Sequence, residues 1–261
     1  MNRDRLLEAS LRDLIKLALR PYLIQPYFRR QEQVDFVASV TGEKPAALRV
    51  LEREFYEKHE FRSRLNQSLI EKRGRILGPG AISGAGFYML IRVLRPANMV
   101  ETGVFDGITT SVLLLAMRDN AHGRLTSIDL PAVGEIKDST HGMPSGQLPP
   151  GCKPGWIIPD ELRDRHELLF GDSRELLPRV LAERGVVDVF MHDSLHTDEH
   201  MTFEFDAAWP HLRDGGVLLS DDIFAWGARN CFRRFCRRHR LDYWTWGALA
   251  AVVKRDGSAA S

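Results

Sequence analysis

The chain has 261 residues, of which 44% are hydrophobic, so it is long enough to bury a complete α/β core. Its 36 basic and 35 acidic residues nearly balance, which leaves no overall charge to attract nucleic acid or an anionic membrane. No apolar run is long enough to span a bilayer, and the first residues are too charged for a secretion signal. Three cysteines without a pairing pattern fit a reducing compartment. We therefore predict a cytoplasmic protein that binds neither nucleic acid nor a membrane.

Residues 1–75 are predicted to form a helical N-terminal extension. Apolar residues recur at helical spacing from Arg3 to Arg20, and Pro45 opens a second amphipathic segment that reaches Phe55. The first helix is expected to pack on the body of the protein or on a second subunit. A helix on a membrane surface is the less favoured alternative, because its polar face carries acids as well as bases. We expect the extension to act as a lid or to form a homo-oligomer such as a dimer.

A glycine-rich passage from Arg73 to Gly86 separates this extension from a predicted helix over Phe87 to Leu94. The passage is either a plain linker or a loop that lies against a ligand, since loops serve both purposes. The remainder of the chain, residues 76–261, is predicted to form one domain. Within it, residues 131–159 are rich in Pro, Gly and Ser and form an insertion, for which a lid or binding loop is the favoured interpretation.

Short apolar segments alternate with helical or polar segments after residue 98, which predicts a Rossmann-like α/β fold with a doubly wound parallel sheet. Two further apolar segments, Leu241 to Trp246 and Ala248 to Lys254, are separated only by Gly247 and must form an antiparallel hairpin. The sheet therefore has seven predicted strands. The first five span Met99–Glu101, Leu125–Asp129, Glu167–Phe170, Val187–Met191 and Gly216–Ser220.

The first strand runs into a glycine turn and then a helix. Gly103 and Gly107 allow the backbone to turn sharply and to approach a ligand closely. The helix that begins near Ile108 to Ser111 offers unpaired N–H groups to an electron-rich ligand. These features predict a nucleotide-binding corner.

Acidic residues follow each of the five strands, at the edge of the sheet where ligands of this fold bind. An isolated acid in such a position is as often a helix cap. Asp129 is placed to accept both ribose hydroxyls of a nucleotide, and Asp172 is placed to address an adenine amino group. Asp172 or Ser173 is alternatively the cap of the following helix. The acids are Glu101, Asp129, Asp172, Asp193, and the pair Asp221 and Asp222.

This ordered set resembles the class I S-adenosylmethionine-dependent methyltransferases over about residues 78–254. Glu101, Gly103 and Gly107 match the first motif of that family, and Asp129 and Asp172 match its later acids. The terminal hairpin is the topological feature of the family, whereas the spacing of the two glycines differs from that of nicotinamide dehydrogenases. The predicted cofactor site consists of Glu101, Gly103, Phe105, Asp106, Gly107, Thr109, Asp129, Trp156, Asp172, Ser173 and Asp193. Trp156 either closes over the cofactor or simply packs in the insertion.

The fourth and fifth strand ends resemble those of the divalent-metal-dependent small-molecule O-methyltransferases. That resemblance implies that Asp193, Asp221 and Asp222 hold Mg²⁺ or a similar cation. The pair is Asp-Asp here instead of the usual Asp-Asn, and His196 stands where the family has a basic lysine. A metal-free site, in which Asp193 caps a helix and Asp222 contacts the substrate, is the alternative interpretation.

The resulting hypothesis is methyl transfer from S-adenosylmethionine to a hydroxyl group of a small molecule, with His196 as general base and Asp193 beside it. A hydrogen-bonded structural role is the alternative for His196. N-methylation, a nucleotide-binding oxidoreductase and a non-catalytic cofactor-binding module are the alternative functions. A zinc hydrolase is disfavoured, because no glutamate follows His196 directly in the pair that it forms with His200.

Overall fold

The computed structural model describes residues 24–74, 84–130, 148–223 and 228–255. The predicted helix between Arg3 and Arg20 lies outside them, as does most of the insertion. Within these ranges, two short 3₁₀ helices, Asp160–Arg165 and Trp209–His211, accompany the main elements. The helices are α1 (Ile24–Thr41), α2 (Pro45–Glu57), α3 (His59–Arg73), α4 (Gly84–Leu94), α5 (Ile108–Asp119), α6 (Ser173–Arg184), α7 (Asp198–Ala208) and α8 (Ala228–Arg238). The strands are β1 (Asn98–Thr102), β2 (Arg124–Asp129), β3 (His166–Phe170), β4 (Val187–His192), β5 (Leu212–Ser220), β6 (Tyr243–Trp246) and β7 (Leu249–Val253).

The seven strands form one sheet in the order β3-β2-β1-β4-β5-β7-β6. Strands β1 to β5 pair in parallel, whereas β7 runs antiparallel to both β5 and β6. This arrangement confirms the predicted doubly wound sheet with a terminal hairpin. The carboxyl ends of β1, β2 and β4 are neighbours, because Thr102 pairs with Ile128 on one side and with His192 on the other.

The two faces of the sheet bury separate apolar cores. Helices α1, α2, α4 and α5 cover one face, and residues such as Phe55, Leu113 and Met191 belong to its core. Helices α6, α7 and α8 cover the other face, where Phe190 and Phe232 are buried. Alternate strand residues supply the two cores, as the two-residue period of a strand requires. The helical extension thus shares a core with the sheet.

Helix α4 begins at Gly84, three residues before its predicted start. A Cβ atom on Gly84 would lie 2.9 Å from the Phe55 ring, and one on Gly86 would lie 2.7 Å from the Gln33 side chain. Both distances are too short for ordinary contact. These two glycines therefore serve close helix packing, and only residues 75–83 of the glycine-rich passage stay outside the described structure.

Strand β5 begins at Leu212, four residues earlier than predicted, because Leu212 pairs with Val187 across an irregularity in the ladder. In helix α2, Pro45 occupies the first turn and the buried face includes Leu48 and Phe55, as the amphipathic pattern predicts. Within the described residues no helix is long and apolar enough to cross a lipid bilayer.

Candidate cofactor and acceptor site

The turn after β1 depends on glycine at both of its predicted positions. Gly103 has a φ of +84°, and a Cβ atom there would lie 1.9 Å from the carbonyl oxygen of Asp193. Gly107 has a φ of +92°, and a Cβ atom would lie 2.8 Å from the Ile158 side chain. Both values of φ are costly for residues with a side chain. One end of the turn is therefore in close contact with the loop after β4, and the other end is in close contact with the last residues of the insertion.

Asp129 holds the same turn from the end of β2. Its Oδ2 atom accepts hydrogen bonds from the backbone N–H groups of Val104 at 2.6 Å and Phe105 at 2.8 Å. Burial raises the pKa of the Asp129 carboxyl, and the two N–H donors oppose that rise. Among the described residues no donor bonds to Oδ1. One carboxylate oxygen thus fixes the turn, and the other is available for a ligand.

Asp106 links the turn to the helical extension. Its buried carboxylate accepts hydrogen bonds from the Arg73 guanidinium at 2.6 Å and the Trp156 indole N–H at 2.7 Å. The Arg73 guanidinium also lies 4.8 Å from the centre of the Phe105 ring, a cation–π distance. Trp156 packs beside the small core of Leu65, Leu69 and Ile157. The indole is therefore anchored by packing and by Asp106, and its contact with a cofactor stays a prediction.

Glu101 lies beneath the turn and is completely buried. Its carboxylate accepts hydrogen bonds from Ser127 Oγ at 2.7 Å and Thr110 Oγ1 at 3.0 Å. Burial raises the pKa of Glu101 to about 7, and the two hydroxyl donors only partly offset that effect. Thr109, which precedes Thr110 in the first turn of α5, is half-buried. Glu101 therefore links β1, β2 and α5 through buried hydrogen bonds. Direct contact with a cofactor stays a prediction for both Glu101 and Thr109.

Asp172 and Ser173 follow β3 and have different environments. Asp172 caps α6, because its carboxylate accepts a hydrogen bond from the backbone N–H of Arg174 at 2.8 Å. Its side chain is half-buried, so capping and ligand contact are compatible. Ser173 is buried and donates a hydrogen bond to Glu204 at 2.6 Å. Its hydroxyl group thus points into the protein.

Asp193 and His196 share the loop after β4. His196 Nε2 lies 4.0 Å from Asp193 Oδ1, and their side chains are 16% and 28% exposed, respectively. The distance exceeds that of a direct hydrogen bond. Burial and the nearby carboxylate of Asp221 raise the pKa of Asp193 well above its ordinary value. The His196 ring also packs edge to face on His192, at 5.1 Å between ring centres. A candidate base, His196, and an acid, Asp193, therefore both lie at the carboxyl end of β4.

Asp221 and Asp222 follow β5. Asp221 is partly buried and Asp222 is exposed, with a φ of +49° and its N–H bonded to the Asp221 carboxylate at 2.9 Å. Burial and the neighbouring Asp222 charge raise the pKa of Asp221. With Asp193 they offer the hard oxygen donors that Mg²⁺ prefers. Within the described ranges, however, no group of three or more His, Cys, Asp or Glu side chains is arranged to hold a metal ion. The predicted metal site is thus not preformed.

Comparison with known proteins agrees with this geometry. Residues 100–223 match the model of a family described as a methyltransferase domain. TomG, an O-methyltransferase from Streptomyces achromogenes involved in tomaymycin synthesis and solved with S-adenosylmethionine, has a TM-score of 0.52 at 18% identity, over 76% of this chain and 91% of that one. The O-methyltransferase from Bacillus cereus, solved with S-adenosylhomocysteine, has a TM-score of 0.52 at 17% identity, over 76% and 92%. The middle of the chain is thus similar to a methyltransferase domain, and its fold is that of the two solved O-methyltransferases.

Two curated relatives match shorter segments. L-olivosyl-oleandolide 3-O-methyltransferase from Streptomyces antibioticus is 40% identical over 53 residues, which are 20% of this chain and 14% of that protein. Mycinamicin VI 2''-O-methyltransferase from Micromonospora griseorubida is 34% identical over 67 residues, which are 25% of this chain and 16% of that protein. The matched segments thus span less than a fifth of the length of either relative.

Several residues that shape the candidate site carried no sequence signal that pointed to them. Arg73 lies in the helical extension, 33 positions before its partner Asp106. Glu204 and His192 form a buried pair at 2.6 Å. The spacing of four residues between His200 and Glu204 in α7 was the available local signal, since such residues share one helix face. It did not indicate what else Glu204 contacts.

Proposed function

We propose that this protein transfers the methyl group of S-adenosylmethionine to a hydroxyl group of a small molecule. The observation that carries the proposal is the edge formed by neighbouring strand ends: Asp129 and the glycine turn lie at β2 and β1, and Asp193 and His196 follow β4. The names of both curated relatives specify O-methylation, which favours oxygen over nitrogen as the acceptor.

The residues of this edge suit the two tasks that such a reaction leaves to the protein. When bound, S-adenosylmethionine supplies an activated methyl group on its sulfonium, and loss of that methyl group leaves S-adenosylhomocysteine as the second product. The Asp129 Oδ1 atom and the turn would orient the cofactor, since a ribose hydroxyl needs an acceptor of this kind. His196 Nε2 would take the proton that the acceptor hydroxyl loses as its oxygen bonds to the methyl carbon. Asp193 would stabilise the imidazolium that results.

A divalent cation is a separate prediction within this proposal. Asp193, Asp221 and Asp222 would hold it after rotation of their side chains. Its charge would offset the repulsion that raises the pKa values of Asp193 and Asp221. We expect EDTA to lower turnover at least tenfold and Mg²⁺ to restore it, and Asp222→Asn to weaken the response to Mg²⁺. Full turnover in EDTA would favour the metal-free alternative.

The proposal is tested by calorimetry and then by turnover. S-adenosylhomocysteine should bind to the purified chain, whereas NAD should not; the opposite result would favour an oxidoreductase. Turnover is measured with S-adenosylmethionine carrying an isotopically labelled methyl group, first with the acceptors named in the two relatives, olivosyl-oleandolide and mycinamicin VI, and then with a wider set of alcohols and amines. Labelling of amines alone would show N-methylation. A homo-oligomer formed through the helical extension is a further prediction, which sedimentation analysis tests.

A further inference from the structure

Glu204 lies in α7 on the face of the sheet opposite the helical extension, and its side chain is completely buried. Its two carboxylate oxygens accept hydrogen bonds from five side chains on four separate parts of the chain. An ionised carboxylate only accepts hydrogen bonds, so all five partners act as donors. They are Thr102 Oγ1 at 2.5 Å, Ser173 Oγ at 2.6 Å, His192 Nδ1 at 2.6 Å, Ser194 Oγ at 2.9 Å and His200 Nε2 at 2.9 Å.

Four of these donors are the direct neighbours of residues in the proposed site. Thr102 precedes Gly103, and Ser173 follows Asp172. His192 and Ser194 stand on either side of Asp193. Successive residues of an extended chain point to opposite sides. The bonds of His192 and Ser194 to Glu204 therefore leave the Asp193 side chain on the opposite side of the chain. Thr102 and Ser173 fix the backbone directly before Gly103 and directly after Asp172.

Two of the segments that Glu204 joins, the loops after β1 and β4, also contact each other. The backbone N–H of Asp193 donates to the carbonyl oxygen of Thr102 at 2.8 Å, and Gly103 lies directly against the Asp193 carbonyl. A small displacement of either loop would therefore move the glycine turn after β1 relative to Asp193 and His196, the proposed acid and base after β4. Groups that react or bind must be held within a fraction of an ångström by the residues behind them.

We propose that Glu204 is the positioning residue of this site, which holds the loops after β1, β3 and β4 in the arrangement that binds the cofactor. The inference rests on the proposed function, since it names what aligns the proposed cofactor site. Glu204 itself touches neither cofactor nor acceptor in this proposal. It acts through Thr102, Ser173, His192 and Ser194.

The test compares Glu204→Gln with Tyr88→Phe. Glutamine has the same shape but only one accepting oxygen, so two or more of the five donors lose their partner. Tyr88 is equally buried, and its hydroxyl oxygen lies 2.6 Å from the Glu54 carboxylate and 2.7 Å from the Asp119 carboxylate, but it lies among α2, α4 and α5, away from the strand ends. Calorimetry measures the affinity for S-adenosylhomocysteine, and thermal melting measures stability. Both variants should melt earlier than the wild type.

We expect Glu204→Gln to bind S-adenosylhomocysteine at least tenfold more weakly, Glu204→Asp to recover part of that loss, and Tyr88→Phe to stay within twofold of the wild type. Amide hydrogen exchange should rise in residues 102–107 and 192–196 of Glu204→Gln and not in α4. Wild-type affinity in a folded Glu204→Gln variant would overturn the inference. Failure of the wild type to bind would instead refute the proposed function.

If Glu204→Gln does not fold, Thr102→Val and Ser194→Ala carry the test, because each removes a single hydroxyl donor to Glu204. Each should weaken the binding of S-adenosylhomocysteine about threefold or more, and the double variant should weaken it further. Unchanged affinity in both single variants and in the double variant would overturn the inference.

Discussion

Replacing Glu101 by glutamine should make the protein more stable at neutral pH. Burial raises the pKa of Glu101 from 4.5 to about 7, so in the folded state it holds its proton over a pH range in which the unfolded chain has lost it. At about 1.4 kcal/mol per pH unit, ionisation at neutral pH costs folding about 3 kcal/mol. This cost is absent below about pH 4.5, grows as the pH rises towards 7, and is constant above that.

The glutamine side chain would keep the contacts of Glu101, since Ser127 and Thr110 have hydroxyl groups that both donate and accept. Urea unfolding of the wild type and Glu101→Gln between pH 4.5 and 8 measures the difference in the free energy of unfolding. The variant should gain about 3 kcal/mol over the wild type across this range, with the steepest change between pH 5 and 7. Thermal melts at the two extremes provide an independent measure. Parallel pH profiles for the two proteins would refute the reasoning.

Three further variants test the turn, the base and the helical extension. Gly103→Ala should destabilise the fold by more than about 3 kcal/mol, because its Cβ meets the loop after β4, whereas Gly42→Ala, with a φ of +74° and open space around it, should cost only about 1 kcal/mol. His196→Ala should lower turnover about 10²-fold or more with the affinity for S-adenosylhomocysteine nearly unchanged, and the control His211→Ala, at a partly exposed position, should change neither turnover nor affinity; equal turnover would remove His196 from the mechanism. Arg73→Met should weaken cofactor binding severalfold in calorimetry, because the turn loses its link to α3; unchanged affinity would mean that the link is only structural.

The sequence predicted the parts of this molecule that follow from local patterns. The alternation of apolar segments predicted the sheet, and the single glycine between the last two segments predicted the antiparallel hairpin of β6 and β7. Gly103 and Gly107 were predicted as a turn, and both have positive φ. These features depend on neighbours within a few residues, so a single sequence contains the information for them.

The features that the sequence did not predict depend on contacts between distant residues. Gly84 and Gly86 were interpreted as part of a linker or loop, yet they are helical because Phe55 and Gln33 pack closely on them. Thr102 and Glu204 are 102 positions apart, and no local spacing indicates that one donates to the other. The same holds for the orientation of the predicted metal ligands, since strand order brings three acids to one edge but does not fix where each carboxylate points.

The acids at the strand ends divide into two kinds, and this division explains how one fold supports both rigidity and binding. Glu101 is completely enclosed and accepts hydrogen bonds from protein hydroxyl groups, so it links β1, β2 and α5 around the turn. Asp129 uses one oxygen for the turn and leaves the other for a ligand, so the presence of the ligand and the shape of the turn become linked. A cofactor that bonds to Asp129 would stabilise the conformation in which Val104 and Phe105 donate to it. The turn should therefore become more rigid on binding, because the same carboxylate belongs to both.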